Sequence, residues 1–397
     1  PRGLPPFLPD MKLNTLLLLS FVTASLQAAP EFKWSTQEID QITIGYGLQL
    51  SDINGDGRTD ILLADKKTIQ WYENPSWEKH VIASDLTERD NVCIAARDIN
   101  GDGKAEIAVG GQWNFLETNK DGAVFYLAPP KDRSQAWSPV QLPNDPSVHR
   151  MHWILGPNGS YSLVVKPLRG KGTIGGIGPG LRVLEYIMPR DPTGEWTLSV
   201  INQDLHQSHN FHPVNWDDDP EEELIIAAKE GSWHFDRGEK GQPWEATQLT
   251  KNFSGEIRDG KLPNGKRFIA CVEPMHGNTA AAYVEPESGE SLWPQLKVLD
   301  GAIKDGHAVA IDDFLGIGSD QVVVGWRAMH PKDIPGDPGI KLFIPNQDGS
   351  EWTSQKLSGA EIAVEDIKAG DLNGDGKPEI VAAARQTKNL TIFFNES

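Results

Sequence analysis

Histidine and glutamate recur at one fixed distance before a repeated Asp-rich turn. Counting back six residues from the first residue of each turn, and taking the best equivalents in two shortened units, gives in chain order Tyr46, Val92, His149, His209, Glu256, His307 and Glu365. Imidazole and carboxylate groups are typical ligands of Zn²⁺ and other divalent transition metals. If this position lies on a common axis, we predict that His149, His209 and His307 bind such a metal. Three protein ligands with an open fourth position would make the metal centre catalytic.

The Asp-rich turns have the ligand pattern of a different metal site. The hexapeptide Asp-x-Asn-Gly-Asp-Gly occurs at 52–57, 98–103 and 371–376, each time with an acid three residues after its end. Oxygen ligands at positions 1, 3, 5 and 9, with a permissive glycine at position 6, suit Ca²⁺. The predicted calcium ligands are Asp52, Asn54, Asp56, Asp60, Asp98, Asn100, Asp102, Glu106, Asp371, Asn373, Asp375 and Glu379. The alternative is an empty turn whose Asx side chains bind the backbone. Both roles are structural.

The elements that position these residues are short strands in a repeated unit. Each Asp-rich turn joins two apolar strands, and two further strands follow before the cycle begins again. Seven such units start near residues 45, 91, 148, 208, 255, 306 and 364. This pattern predicts an all-β fold, a seven-bladed β-propeller of four-stranded antiparallel blades, over residues 30–397. The segment Phe32 to Ile39 is expected to add the outer strand of the last blade.

Composition excludes several classes of protein. The chain has 397 residues and a formal net charge of −19, without a dense basic patch, so we expect no nucleic-acid partner. Residues 11–29 resemble a secretory signal peptide behind a Pro-rich extension, and their apolar run is too short to span a membrane. The mature chain is therefore expected to be periplasmic or secreted, with no membrane span. A partner protein is compatible with this composition.

The loops between second and third strands should lie on the same face as the recurring histidines. By this register they carry Trp113, Lys166, Arg169, Lys171, Lys229, Glu230, His276, Arg327, His330 and Arg385. The Asp-rich turns lie on the opposite face. A cationic and aromatic mouth in an acidic protein favours a polyhydroxylated or anionic ligand. A carbohydrate is the predicted substrate.

The repeat resembles the FG-GAP or VCBS type of β-propeller over nearly the whole mature chain. More specific phrases are similar to the propeller domain of the aldos-2-ulose dehydratase family: Val148-His-Arg150, Lys166-Pro-Leu-x-Gly-Lys-Gly172, His209-Asn-Phe211, Glu273-Pro-Met-His-Gly-Asn278, Gly306-His-Ala308, Val324-Gly-Trp-Arg327 and 365–376. The resemblance implies a zinc-dependent site that dehydrates keto sugars. The family also carries cupin and lectin domains that have no counterpart in this chain, so we expect no isomerase activity, and the identity of the keto sugar stays open.

This resemblance gives the polar residues expected roles in a carbon–oxygen lyase. A metal-stabilised enolate forms when a base removes the proton beside a carbonyl, and the leaving group then departs. Glu256 or Glu365 would be the fourth metal ligand or the base, and His276 an acid or base. The side chains expected to steady the developing oxyanion are Lys166, Arg150 and Arg327.

Two alternatives remain open at this point. One is a non-catalytic propeller that is stabilised by calcium and binds sugars or proteins. The other is a polysaccharide lyase that cleaves uronate-containing glycans, with histidine and Tyr46 or another tyrosine in the elimination. Metal content distinguishes the first alternative from an enzyme, and the choice of substrate distinguishes the second.

Overall fold

Twenty-eight strands in the described part of the chain form seven antiparallel sheets of four strands each, as the repeat predicts. The computed structural model describes residues 3, 32–174, 176–217, 219–238, 243–287, 290–330, 332 and 336–397. The predicted signal peptide lies outside these residues. Residues Glu31–Ser397 form one compact unit. Within the described residues no helix is long and apolar enough to cross a membrane.

The first three blades each order their strands from the central channel outward. Blade 1 has β2 (Gly47–Ser51), β3 (Asp60–Ala64), β4 (Thr68–Glu73) and β5 (Glu78–Ser84). Blade 2 has β6 (Cys93–Arg97), β7 (Glu106–Gly111), β8 (Ala123–Ala128) and β9 (Ser138–Leu142). Blade 3 has β10 (Val148–Leu155), β11 (Tyr161–Pro167), β12 (Val183–Ile187) and β13 (Thr197–Asn202), with a short 3-10 turn at Pro157–Gly159.

The remaining four blades follow the same order. Blade 4 has β14 (Ser208–Val214), β15 (Glu223–Ala228), β16 (Gly231–Asp236) and β17 (Glu245–Gln248). Blade 5 has β18 (Glu256–Lys261), β19 (Arg267–Glu273), β20 (Thr279–Val284) and β21 (Gln295–Asp300). Blade 6 has β22 (Gly306–Asp312), β23 (Gln321–Trp326), β24 (Gly339–Pro345) and β25 (Trp352–Ser358). Blade 7 has β26 (Val364–Gly370), β27 (Glu379–Ala384), β28 (Asn389–Asn395) and, outermost, β1 (Trp34–Gln41).

Strand β1 closes the ring from the start of the chain, as the sequence pattern predicts. Trp34 pairs with Asn395 and Gln41 with Asn389, so the first strand lies antiparallel to the last. Strand β1 therefore covers the edge that β28 would otherwise expose, which removes an aggregation-prone open edge. The buried Phe32 lies just before the strand, in a core shared by blades 6 and 7.

The hydrophobic core lies between blades rather than within them. Its clusters fill the spaces between neighbouring blades, including the space between the last blade and the first. Each blade is covered on both faces by its neighbours in the ring. Side chains on both faces of a second strand are therefore buried, as in β7 and β27. Innermost strands contact one another around the ring, β26 with β2 included.

Candidate functional site

Four of the recurring polar residues lie at irregularities in their innermost strands. The register between first and second strands shifts at His149 in β10, at His209 in β14, at His307 in β22 and at Glu365 in β26. In β14 the irregularity also includes Asn210. A β-bulge leaves the extra residue unpaired and redirects its side chain, and bulges are common beside functional sites. All four side chains are buried at the same end of the central channel.

Three imidazoles converge at this end of the channel. His209, His276 and His307 each offer one ring nitrogen, and the three nitrogens lie within 4.8 Å of one another. His276 comes from the loop between β19 and β20 and has a left-handed backbone conformation, with φ at 56°. A non-glycine residue in that region is under backbone strain of about 1–3 kcal/mol, which the surrounding structure must offset. The sequence pattern predicts His276 in a loop at the mouth of the channel. In the structure its ring lies beside those of His209 and His307.

Two of the three imidazoles are oriented by acceptors behind them. His209 Nδ1 lies 2.5 Å from Glu256 Oε1, and His307 Nδ1 lies 2.6 Å from the backbone oxygen of Glu365. Because both partners are acceptors, each Nδ1 carries the proton and each Nε2 keeps its lone pair. Acceptors behind metal-binding histidines fix the tautomer in the same way. Asn210 Nδ2 donates to the other oxygen of Glu256, so the carboxylate is itself held in place.

His276 is held differently. Its Nε2 lies 2.9 Å from His209 Nε2, and Arg327 Nη2 donates to its Nδ1 over 3.2 Å. Because Arg327 is only a donor, the neutral His276 carries its proton on Nε2 and donates it to His209. To offer Nε2 to a metal, His276 must move this proton to Nδ1. The nearest acceptor there is Asp305 Oδ1, at 3.7 Å.

The three imidazoles fit a divalent transition metal. Tetrahedral nitrogen ligands at about 2.0–2.1 Å from Zn²⁺ lie about 3.4 Å apart, within the separations found in this cluster. The nitrogen donors and the acceptors behind two of them match the chemistry that Zn²⁺ prefers. Glu365 Oε1, 3.8 Å from His307 Nε2, is the nearest carboxylate candidate for a fourth position.

A buried ionic network surrounds Glu365. Arg327 Nη1 donates to Glu365 Oε2 over 2.9 Å, and Arg385 Nη1 donates to Oε1 over 3.0 Å. Arg327 also bonds Asp305, and the guanidinium of Arg385 lies 5.0 Å from the ring centre of Tyr46. Each oxygen of Glu365 is thus already engaged by a guanidinium group. The predicted role of Glu365 as the base is therefore less suited to this geometry than a role in positioning.

His149 differs from the three converging histidines. Its ring stacks on Trp113 with centroids 4.8 Å apart and lies 4.7 Å from the ring of His209. Neither ring nitrogen has a hydrogen-bond partner among the described residues. The predicted ligand His149 thus lies beside the three converging imidazoles, and His276 takes the position among them that the sequence pattern assigns to His149.

Burial makes these imidazoles neutral. It lowers the pKa of His149, His209 and His307 well below the usual 6.5, and neighbouring guanidinium groups act in the same direction. Burial and the ring of His209 do the same to the pKa of His276. Neutral imidazole is the form that binds a metal or accepts a proton. Burial raises the pKa of Tyr46, so this phenol keeps its proton.

The histidines form the floor of a cavity of about 280 Å³. Its walls and rim are Tyr46, Trp113, Phe115, Leu168, Arg169, Met275, Met329, His330 and Arg385. Aromatic and apolar walls with a few cations are suited to a compact polar ligand that also has an apolar face. Two rim loops are joined where Arg169 Nη1 donates to the Phe115 carbonyl.

Three predicted residues lie away from this cavity. Lys166 belongs to β11 rather than to a loop, because that strand extends to Pro167, and its buried Nζ donates to the Ser208 carbonyl over 2.6 Å. Arg150 points into the channel below the histidines. Glu256 touches the site only through His209. The spacing predicts no role for Asp305 or Asn210, although each lies within two residues of a recurring histidine.

The Asp-rich turns occupy the opposite ends of the innermost strands. In the first turn the two oxygens of Asp52 accept from the Gly55 and Gly57 amides, each over 2.7 Å. The acid at position 9, Asp60, is fully buried and accepts from the amide of Ile53. The turns at 98–103 and 371–376 repeat these bonds. Calcium binding there stays a prediction.

Comparisons with known proteins agree with the fold. Residues 52–109 match the model of the FG-GAP-like repeat. The structure is similar to the WD40 repeats of RRP9, with a TM-score of 0.58 and 12% identity, covering 92% of this chain and 100% of that one. It is also similar to BBS1N in complex with ARL6DN, with a TM-score of 0.54 and 12% identity over 91% and 96% of the two chains.

A third similar structure is the β-propeller domain of Cps50 (Swd1) from Myceliophteria thermophila, with a TM-score of 0.55 and 10% identity over 90% and 99% of the two chains. No curated protein matches the sequence significantly. At such identities these likenesses concern the fold alone. The chain is a seven-bladed β-propeller that carries an FG-GAP-like repeat at residues 52–109.

Proposed function

We propose that this propeller is a divalent-metal-dependent carbon–oxygen lyase that acts on a keto sugar or keto-glycoside. The observation that carries the proposal is the convergence of His209, His276 and His307 on the floor of one cavity. When bound there, the metal would act as a Lewis acid that stabilises negative charge on the carbonyl oxygen.

His149 is suited to remove the proton beside the carbonyl. It is neutral and borders the cavity, and its ring nitrogens have no described hydrogen-bond partner to displace. Stacking on Trp113 fixes the plane of the ring. Both ring nitrogens are covered by protein in this structure, so the ring must shift toward the cavity before one of them takes the C–H proton. The electron pair then moves toward the carbonyl as the enolate forms.

Tyr46 is suited to protonate the leaving group. Its phenol borders the same cavity and is kept protonated by burial. Elimination breaks one C–H and one C–O bond and forms a C=C bond. Water or an alcohol leaves with the proton of Tyr46, and the proton held by His149 passes to the phenolate or to solvent. Arg385, 3.3 Å from the Tyr46 oxygen, stabilises the phenolate meanwhile.

The cavity favours a small carbohydrate over a polymer. About 280 Å³ accommodates a ligand of roughly one sugar ring, with Trp113 and Phe115 available to its apolar face. Arg169 and Arg385 offer donors to hydroxyl groups. These features favour a keto sugar over the uronate polymer of the competing lyase hypothesis.

A substrate comparison tests the proposal. Chelated protein, reloaded with Zn²⁺, Mn²⁺ or Co²⁺ in turn, is incubated with keto sugars, keto-glycosides or uronate polymers, and absorbance of the unsaturated product is followed. We expect product from a keto substrate only after reloading. Product from uronate polymers alone would favour the polysaccharide lyase. No product from any substrate with metal-loaded protein would contradict catalysis and favour a binding propeller.

A further inference from the structure

A second, much smaller cavity lies in the central channel beside the lower side of the histidine site. Its volume is about 20 Å³, which is room for one water-sized species. The polar side chains around it are Gln49, Arg150, His152, Asn210, Arg258, Asp366 and Lys368, together with Tyr46, which also borders the histidine cavity. Neither the proposed catalysis nor the Asp-rich turns account for this group.

Three of these side chains are cations from innermost strands. Arg150 is in β10, Arg258 in β18 and Lys368 in β26, on blades 3, 5 and 7. Arg258 is only 8% exposed. Within the part of the chain that the structure describes, its side chain makes one hydrogen bond, to the backbone oxygen of Ile257 at 2.6 Å. A guanidinium has five N–H donors, so Arg258 has donors to spare for a ligand in the cavity.

The carboxylates nearby are already engaged. Asp366 lies 2.9 Å from Lys368 Nζ and also accepts from the amide of Leu48. Glu256 accepts from His209 and Asn210. No described carboxylate lies within ion-pair distance of Arg150 or Arg258. A third carboxylate, Asp259, also acts on Arg258 but lies beside Arg267. Three cations therefore face two nearby carboxylates, and one positive charge lacks a counter-ion.

The other titratable groups do not supply the missing negative charge. His152 borders the cavity and His212 lies beside it, with ring centroids 6.2 Å apart. Burial and the charge of Arg258 lower the pKa of both well below 6.5, so both are neutral. Arg258 is buried, and Arg150 and Lys368 are half-buried. An unpaired charge among them is unfavourable, so a counter-ion there is favoured.

We infer that the channel binds one halide ion, chloride in ordinary salt solutions, between Arg150, Arg258 and Lys368. A halide has the single negative charge that the cluster lacks and the size of the cavity. The space of about 20 Å³ suits a monatomic ion better than a phosphate or a sugar carboxylate. The ion would fix the inner ends of blades 3, 5 and 7 around a common point. The three cations that carry this inference have no part in the proposed catalysis.

Crystals soaked in sodium bromide test the location directly by anomalous diffraction. We expect a bromide peak in contact with Arg258 and within reach of Arg150 and Lys368. Bromide only at the surface or only at the three histidines, with water in the small cavity, would overturn the inference.

Thermal unfolding tests the binding in solution. At constant ionic strength, replacing methanesulfonate by chloride should raise the Tm of the wild-type protein until the effect saturates, because a ligand of the folded state stabilises it. Arg258→Gln should lose this shift. If Arg258→Gln does not fold, Lys368→Gln is the second variant. The matched control is Lys297→Gln, which removes a half-buried lysine that pairs with Glu351 far from the channel, and it should keep the shift. An equal shift in the channel variant and the control would contradict a channel site.

Discussion

The roles proposed for the histidines rest on the hydrogen-bond partners of their ring nitrogens. His209 and His307 each face an acceptor through Nδ1 and so offer Nε2, whereas His149 has no described partner at either nitrogen. Acceptors behind an imidazole prepare it as a metal ligand, and an imidazole with a free lone pair is prepared to take a proton. Residue type alone does not make this distinction.

His149→Gln should separate catalysis from metal binding. We expect turnover of a keto substrate to fall about 100-fold or more, because a general base is lost, while metal content stays at the wild-type level. His80→Gln, on the outer strand of blade 1, is the control and should keep full activity. Parallel loss of metal and activity in His149→Gln would return His149 to the ligand role.

Sequence spacing located four of the axial residues but not the whole cluster. His209, His307 and Glu365 keep a fixed distance from the turn that follows, because their innermost strands β14, β22 and β26 each have seven residues. His276 escapes this count, since it reaches the axis from a loop whose length differs between blades. Lys166 was misplaced because the end of β11 is set by tertiary pairing with Val148 to Leu155, which local sequence does not encode.

At the level of elements, strand β1 and the turns hold the ring together. The repeated unit made both predictable. The last unit of the chain has only three strands of its own, so β28 needs a partner from elsewhere, and β1 supplies it. The bulges at the histidines were not predictable, since the residues around them keep ordinary strand composition.

Phe32→Ala should loosen the closure of the ring. The side chain is 3% exposed and lies against Trp34, with ring centroids 6.3 Å apart. We expect a loss of about 3 kcal/mol in the free energy of unfolding, the usual result of removing a buried phenyl ring. Urea denaturation measures it, with the exposed Lys33→Ala as the control. A loss equal to that of Lys33→Ala would show that closure does not depend on this contact.

Calcium should stabilise the turns. If the three hexapeptides bind Ca²⁺, adding it to chelated protein raises Tm, because the ion binds the folded turns better than the unfolded chain. Asp375→Asn, at an exposed position of the last turn, should reduce but not abolish the shift. An unchanged Tm in the wild-type protein would leave the Asx hydrogen bonds as the whole explanation of these turns.

At the scale of the whole molecule, the stability of this protein of net charge −19 should depend on pH through the buried, neutral histidines of the axial channel. Burial and Arg258 keep the pKa of His152 and His212 well below 6.5 in the folded state, while in the unfolded chain it returns to about 6.5. As pH falls below about 6.5, the unfolded chain therefore binds protons that the folded one does not. The stability that these residues contribute is present above that pH and is lost below it.

The contribution of His152 and His212 to this pH dependence can be isolated by comparing the wild-type protein with a variant that lacks both histidines. Asp60 and Glu223 act with the opposite sign, because burial raises the pKa of Asp60 to about 6 and that of Glu223 to about 7. The double variant His152→Gln/His212→Gln should lose less stability between pH 6.5 and 5 than the wild-type protein, by up to about 1.4 kcal/mol per pH unit for each histidine. Urea denaturation at several pH values measures this. Equal pH dependence would show that both histidines are protonated in the folded channel.

The metal content of two single variants tests the central claim most directly. Purified wild-type protein, His276→Ala and His149→Ala are chelated, reloaded with Zn²⁺, freed of excess metal and analysed by plasma mass spectrometry, with circular dichroism as the check of folding. The geometry predicts one tightly held zinc ion per chain in the wild-type protein and in His149→Ala, and none in folded His276→Ala. Zinc retained by His276→Ala and lost by His149→Ala would contradict a site formed by His209, His276 and His307.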